Sequence, residues 1–521
     1  MSPYSQQMDV VIVGGGITGA GVALDASRRG LQVALFEQQD FGIGASTATS
    51  KLAHGGLRYL EQRQFKLVKE SLNERNFLLN SAPHLVKPLQ FYVPIYKGSR
   101  WKKWQLAIGL RVYDWIQTNR QLPKHVMHGM ARLQQDVPWL KTAGLLGCGS
   151  YYDAQMEDHR LIIESLLMAQ AHGAHIHNYS KVTNINETSS GLGFDVSSRT
   201  SGKQSMAASS MVVATGAWNN QFASASLVKP TKGIHIVLPD MDLAQALLLM
   251  TPQDDRVFFM MPWYGKTLVG TTDDKDDGHY TEPRVTQAEA NYLLTAVNAY
   301  HTQRIWQLSD IESVFCGYRP LIATDESSPS SQTREETYTW LKKSVLSISG
   351  GKYTTFRKMG QTAVNALTQQ AFQNKAWYNA RQLDDPYIGY LAPDDWPSEA
   401  QLNQLSSRYR VSRESLLHLI ETYGALYKDI LNTIQYHPEY AVRFDFEHPM
   451  ILAELKYAIE KEWVKTPADF LLRRTYYGHA LANKPDVLAA ICKQFYQMVG
   501  ASDAAIGADI DGIVQRLKVS E

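Results

Sequence analysis

Residues 9–16, DVVIVGGG, are a run of mostly β-branched aliphatics that stops at glycines. From residue 17 the spacing of apolar positions predicts a helix to about 29, and 31–36 then reads as a second short strand closing on Glu37. Strand, turn, helix, strand in that order opens a doubly wound α/β fold. A loop rich in Gly, Ser and Thr (41–50) follows, and then helical periodicity at 59–80. A helix is expected at 158–172, strand-like alternation at 175–186 and 194–198, and a buried strand running into a turn at 210–218. Residues 232–272 read as mostly β, and a short strand at 344–350 precedes a helix beginning near Thr354. After Leu391 the pattern changes: PDDWPSEA (393–400) reads as a linker, and the remainder is helical with few strand signals. The expected division is therefore 1–389 and a helical C-terminal domain, 390–521.

Composition narrows the classes. The 521 residues carry 52 Lys+Arg against 51 Asp+Glu, a formal charge of +1, so no global field favours nucleic acid. Cys148, Cys316 and Cys492 are far apart, which argues against a disulfide scaffold or a cysteine-held iron–sulfur cluster and suits a reducing compartment. No signal-peptide core and no run of about 18 uncharged apolar residues is present, so contact with a membrane is expected only at its surface. No His/Asp/Glu group has convincing metal spacing.

The first turn carries chemistry. Gly14, Gly16 and Gly19 form G-x-G-x-x-G between a strand and a helix, where glycine permits the tight turn, the approach of a pyrophosphate and close helix–strand packing. Glu37 ends the next strand at the spacing of an acid that binds ribose hydroxyls. A dinucleotide is the expected ligand. The small hydroxylated run FGIGASTATSKLAHGG (41–56) suits a long cofactor better than a nicotinamide. The later turn Ala214-Thr215-Gly216 resembles the one that returns to the dinucleotide in glutathione-reductase-like flavoproteins, which favours FAD.

At SKLAHGGLRYLE (50–61) the chain resembles the quinone-linked, aerobic FAD-dependent glycerol-3-phosphate dehydrogenases. APHLVKP (82–88), YYDAQMEDHRL (151–161), ATGAW (214–218), KGIHIVLP (232–239), GTTD (270–273), GYRPL (317–321), SGGKYTTFRK (349–358) and ELKYAIEKEW (454–463) follow in the family's order. ATGAW stands where the family usually has ATGPW, and the residue before Arg319 is Tyr where Leu or Val is common.

The resemblance implies a glutathione-reductase-like α/β FAD domain. A mixed β-sheet substrate portion (roughly 60–150 and 230–340) is interleaved with it, and an all-helical C-terminal domain follows. It implies FAD contacts from Gly14, Gly15, Gly16, Thr18, Gly19 and Glu37, and from Ser46, Thr47, Ser50, Leu52, His54 and Gly55. Val182, Thr215, Gly216, Lys352 and Thr354 complete that set. Arg319 and Arg334 are expected on the substrate phosphate, with Arg58 near substrate and flavin. His235 is the expected general base, with Arg319 polarising the alkoxide and Lys352 as the rival proton acceptor. Thr271 and Asp273 read as turn residues rather than catalytic ones.

The implied reaction is sn-glycerol 3-phosphate to dihydroxyacetone phosphate by hydride transfer to FAD, with ubiquinone or menaquinone as acceptor. An FAD-dependent amino-acid or hydroxy-acid oxidoreductase of the same fold is the alternative, and a flavin-dependent RNA-modifying protein or a non-catalytic nucleotide-binding module are more distant ones. The basic, aromatic stretch 96–120 puts Trp101, Trp104, Ile108 and Trp115 broadly on one helical side, interrupted by Arg111. With the resemblance this suits a monotopic helix on the inner face of the cytoplasmic membrane, in a cytoplasmic, peripheral protein. WVKTPADFLLRRT (463–475) reads first as a solvated helix surface, ahead of a membrane patch or a homodimer face.

Overall fold

The N-terminal aliphatic run becomes the central strand β1 (Met8–Val13), buried almost throughout because helices and a hairpin cover both faces of its sheet. In the computed structural model, which describes residues 8–117, 121–189, 191–199, 202–275, 282–323, 335–371 and 385–520, β1 pairs in parallel on both sides. Its neighbours are β2 (Val33–Phe36) and the long strand Gly202–Val213. Val13 lies opposite both Phe36 and Val213, so Gly14, Glu37 and Ala214 emerge together at the carboxyl edge, where open α/β sheets bind ligands. Among the described residues the sheet has eight strands, with Val345–Gly350 and Glu336–Lys342 beyond Gly202–Val213 and His175–His177 beyond β2. The hairpin Ser180–Thr188 and Gly191–Ser198 hangs from the first half of Gly202–Val213.

Helix α1 (Ile17–Arg28) packs against the sheet beside the helices Asp158–Ala171 and Phe356–Ala371. The last of these crosses α1 at backbone contact: a Cβ on Gly360 would lie 2.5 Å from the Gly21 carbonyl oxygen. That crossing fixes the turn carrying Lys352 relative to the first glycine turn.

A second sheet, of ten strands among the described residues, is built mainly from Val86–Tyr96, Leu145–Met156, Val228–Pro239, Val257–Trp263 and Ser313–Ile322. Two of its longest strands, Val86–Tyr96 and Leu145–Met156, fall in a region whose sequence reads as mixed. The helix expected at 59–80 is two, Leu57–Glu61 and Phe65–Ser81, separated by Arg63 in a left-handed conformation (φ 56°). The strand expected at 175–186 breaks likewise, with Tyr179 at φ 52°.

From Glu399–Tyr409 to Ile506–Leu517 the chain is helical, around two apolar clusters of its own. One expectation is corrected here. Arg473 and Arg474 do not face solvent: Arg474 is fully buried, Arg473 nearly so, and both close on buried Asp40 of the nucleotide-binding sheet.

Candidate active site

The two sheets and the C-terminal helices enclose a cavity of about 840 Å³ running from the first glycine turn to the second sheet. Its size falls in the range of cofactor and ligand sites. Gly14, Gly16, Ile17 and Thr18 line one end. Gly14 has φ +111°, and a Cβ there would strike the Ala214 carbonyl oxygen at 2.5 Å. Helix α1 has Gly16 at its N-cap, which brings no capping side chain of its own, and no acid in its first turn, so its positive end stays toward the cavity. Ser46 Oγ accepts the Ile17 amide at 3.1 Å, which ties the Gly/Ser/Thr loop to that helix start.

Glu37 lines the same end, its two carboxylate oxygens accepting the Gly15 and Gln39 amides at 2.7 and 2.9 Å. Burial pushes its pKa up, against those two hydrogen bonds. Val182 and its neighbours 180–185 form the facing wall, and Thr215 and Gly216 line the floor. Thr215 is held by its hydroxyl on Asn219 at 2.7 Å.

At the other end lie Ser50, Leu52, His54, Thr271, Arg319, Lys352 and Thr354. Arg319 is aimed by Thr272 O at 2.8 Å, Thr271 Oγ1 at 2.6 Å and Asp273 at 3.0 Å. Its guanidinium lies over Gly233, where a Cβ would meet a terminal nitrogen at 2.5 Å. GTTD and the glycine of KGIH are therefore the mount of this arginine, a role that reading Thr271 and Asp273 as turn residues misses. Lys352 follows two glycines at φ 76° and 88°. Its Nζ donates to Ser71 Oγ at 3.1 Å and stands 3.6 Å from the Tyr59 ring centroid.

His235 is placed differently from the expectation. It is 1% exposed and does not line the cavity. The ring stacks on Phe315 at 4.7 Å over Gly270, and Nε2 meets Ser50 Oγ at 2.9 Å. Ser50, which it meets, lines the cavity instead. Burial, then the Arg319 and Lys51 charges, hold His235 well below an ordinary histidine pKa, so the imidazole is neutral. Gly15, Gly19 and Gly55 also stand behind the wall: Gly15 carries Glu37, Gly19 packs on Gly14, and Gly55 donates to Tyr113 and Asp153. Arg334 lies outside the described residues, and of Arg58 only the backbone, in Leu57–Glu61, is described.

The C-terminal helices add residues to which the sequence assigns no site, His479, Arg473 and Arg516 among them. His479 Nδ1 meets Ser313 Oγ at 3.1 Å, and burial, then Lys51, lowers its pKa to about 3. The unfolded chain binds a proton at this position below about pH 6.5 and the folded one does not, so folding stability falls as pH drops from there toward 3. His479→Gln removes that titration. It is expected to reduce the stability lost between pH 7 and pH 5 by about 2 kcal/mol in denaturant unfolding. An unchanged pH dependence would show that His479 titrates in the fold as it does in the unfolded chain.

A family model described as FAD dependent oxidoreductase matches residues 9–340, and one described as the C-terminal domain of alpha-glycerophosphate oxidase matches 388–506. The aerobic glycerol-3-phosphate dehydrogenase of Staphylococcus saprophyticus is 34% identical over 494 residues, covering 90% of this chain and 87% of that protein. The Staphylococcus aureus enzyme of the same name is 32% identical, covering 99% and 95%.

The chain belongs to the aerobic glycerol-3-phosphate dehydrogenase family of FAD-dependent oxidoreductases.

A solved glycerol-3-phosphate dehydrogenase from Bacillus halodurans, complexed with FAD, superposes with a TM-score of 0.79 at 26% identity, covering 99% of this chain and 96% of that one. Glycine oxidase from Geobacillus kaustophilus, at 19% identity and a TM-score of 0.53, shares the fold over 74% of this chain. FAD is the cofactor, and the residues present fit it. The glycine cradle, the helix start at Gly16 and the Glu37 carboxylate suit a diphosphate and a ribose, and the long cavity continues to Lys352 and Thr354.

Proposed function

We propose that this chain oxidises sn-glycerol 3-phosphate to dihydroxyacetone phosphate and delivers the electrons to a membrane quinone, ubiquinone or menaquinone. The observation that carries the substrate reading is Arg319, a cavity-lining guanidinium oriented by Thr271, Thr272 and Asp273 in the same cavity as Lys352. A phosphate calls for such a fixed fork with a second cation, and Arg58 and Arg334 are proposed to complete the set. FAD, when bound, supplies the hydride acceptor.

The protein binds and orients the alcohol and takes its proton. Ser50 Oγ is proposed to accept the hydroxyl proton as its own passes to His235 Nε2, since Ser50 lies between that nitrogen and the cavity. Because His235 is neutral, Nε2 is free to accept that proton and hold it as the imidazolium, against the burial and nearby cations that lower its pKa. Lys352 remains the rival acceptor and, by its charge, is proposed to stabilise electron density arriving on the cofactor.

The quinone reading draws on the apolar part of the wall. Leu57, Phe91, Trp101, Tyr151, Leu248 and Phe259 line the cavity, and Trp101 leads within two residues into the helix Lys103–Ile116. That helix buries Leu106, Leu110 and Tyr113 but exposes Trp104 (61%), Ile108 (52%) and Trp115 (81%), beside Lys102, Lys103 and Arg111. An outward tryptophan stripe with flanking cations suits the headgroup region of a bilayer on the cytoplasmic side. No helix among the described residues is long and apolar enough to cross one.

Trp104→Ser with Trp115→Ser is expected to weaken co-sedimentation with anionic vesicles about tenfold or more while leaving FAD content unchanged. Equal co-sedimentation would remove this helix from the membrane contact. The acceptor is tested by steady-state turnover with glycerol 3-phosphate. Rates should depend on added quinone, and turnover as fast with oxygen alone would contradict the quinone assignment.

A further inference from the structure

The loop 41–50 carries much of the cavity wall, with residues 42–50 all lining it; Phe41 roots it in the core, but beyond Gly42 none of its residues is fully buried. Buried charges at its two ends, Asp40 and Lys51, add to the Ser46–Ile17 bond in fixing its conformation. At the start, Asp40 takes a two-pronged contact from Arg474, at 2.8 and 2.9 Å, and a third bond from Arg473 Nε at 2.6 Å. Burial would raise this carboxyl's pKa, but the two guanidinium groups outweigh it and hold the carboxyl ionised.

At the end, Lys51 Nζ donates to Tyr476 Oη at 2.7 Å and pairs with Asp158 at 3.0 Å, sandwiched between the rings of Phe315 and Tyr476. Tyr476 also donates to Asp158. These bonds reach inside the loop: Lys51 Nζ holds Thr47 O at 2.6 Å, and Asp158 accepts from Thr49 Oγ1 at 2.6 Å. Lys51 itself sits at φ 57°, a conformation that favours glycine, so its contacts hold the backbone there. Arg473, Arg474 and Tyr476 belong to one tetrapeptide, Arg-Arg-Thr-Tyr, more than 400 residues away in sequence from the loop they hold.

We propose that residues 473–476 are a clasp that sets the conformation of the FAD-binding loop from both ends, which makes the C-terminal helical region a working part of the cofactor site. A loop held in its binding conformation gives up little further entropy when the dinucleotide arrives; released, it must be ordered by the cofactor itself. The clasp residues are positioning residues. The proposal rests on FAD as cofactor and is independent of which alcohol is oxidised.

Tyr476→Phe keeps the ring beside Lys51 and removes the hydroxyl. Arg473→Met leaves Asp40 its two-pronged contact with Arg474, but it also takes the guanidinium from buried Asp469 and changes a side chain that lines the cavity, so Tyr476→Phe, whose side chain does not line it, is the deciding variant. Each holoenzyme is diluted and FAD release followed by the rise in free-flavin fluorescence, with the thermal midpoint of each apoprotein measured alongside. Release about tenfold faster than wild type, from protein that is still folded, is the expected result. Release at the wild-type rate, or release that rises only with the unfolded fraction, would overturn the proposal whatever happens to the midpoints. Failure of the substrate assignment would leave this measurement unaffected.

Discussion

Gly19→Ala is expected to yield protein with at least about 100-fold weaker FAD binding, purified largely without flavin. The added Cβ would sit 1.9 Å from the Gly14 carbonyl oxygen, well inside contact distance. Gly14 has no room to retreat: it already occupies φ +111° with the Ala214 carbonyl against its own Cβ direction. The strain therefore opens the turn between β1 and α1, and the helix start moves from the place where a diphosphate would meet it. The check is flavin content and FAD titration of the apoprotein, with circular dichroism to show that the sheet persists. Wild-type flavin content in Gly19→Ala would mean that this turn is not the diphosphate cradle.

Arg319→Gln is expected to retain FAD and to lose about 1,000-fold in kcat/KM for glycerol 3-phosphate, mostly through KM. The substitution removes a charge from the cavity without stranding Asp273, whose carboxylate still accepts from Thr231 Oγ1 at 2.7 Å. A small uncharged alcohol oxidised slowly by the wild type should be much less affected, because its binding does not use the cation. Unchanged kinetics with the phosphate ester would remove Arg319 from the substrate site. Loss of flavin instead would reassign it to the cofactor.

Much of this site is legible in the sequence because local spacing dictates it. Gly14, Gly16, Gly19 and Glu37 lie within one strand–helix–strand unit, and the register of β1 with its neighbours brings them together with Ala214 at one sheet edge. Lys352 is legible for a similar reason, since two glycines and a helix start mark its turn. The position of His235 behind Ser50 is not legible. Strand alternation assigns a face to a side chain but cannot say that Phe315, from a partner strand, and Ser50, from a distant loop, will cover it.

The same limit explains Arg473 and Arg474. Two adjacent arginines in a helical stretch read as solvent-facing, because burial of such charges depends on a carboxylate supplied from elsewhere, here Asp40. The breaks at Arg63 and Tyr179 also escape pattern reading, since neither residue type marks a left-handed turn.

Hydride transfer from glycerol 3-phosphate to FAD is read by anaerobic addition of sn-glycerol 3-phosphate to the detergent-supplemented holoprotein, following the visible band of oxidised flavin. Stoichiometric bleaching with formation of dihydroxyacetone phosphate is expected, and recovery of the band on adding a soluble quinone. A flavin that dithionite bleaches but saturating glycerol 3-phosphate leaves oxidised would contradict it.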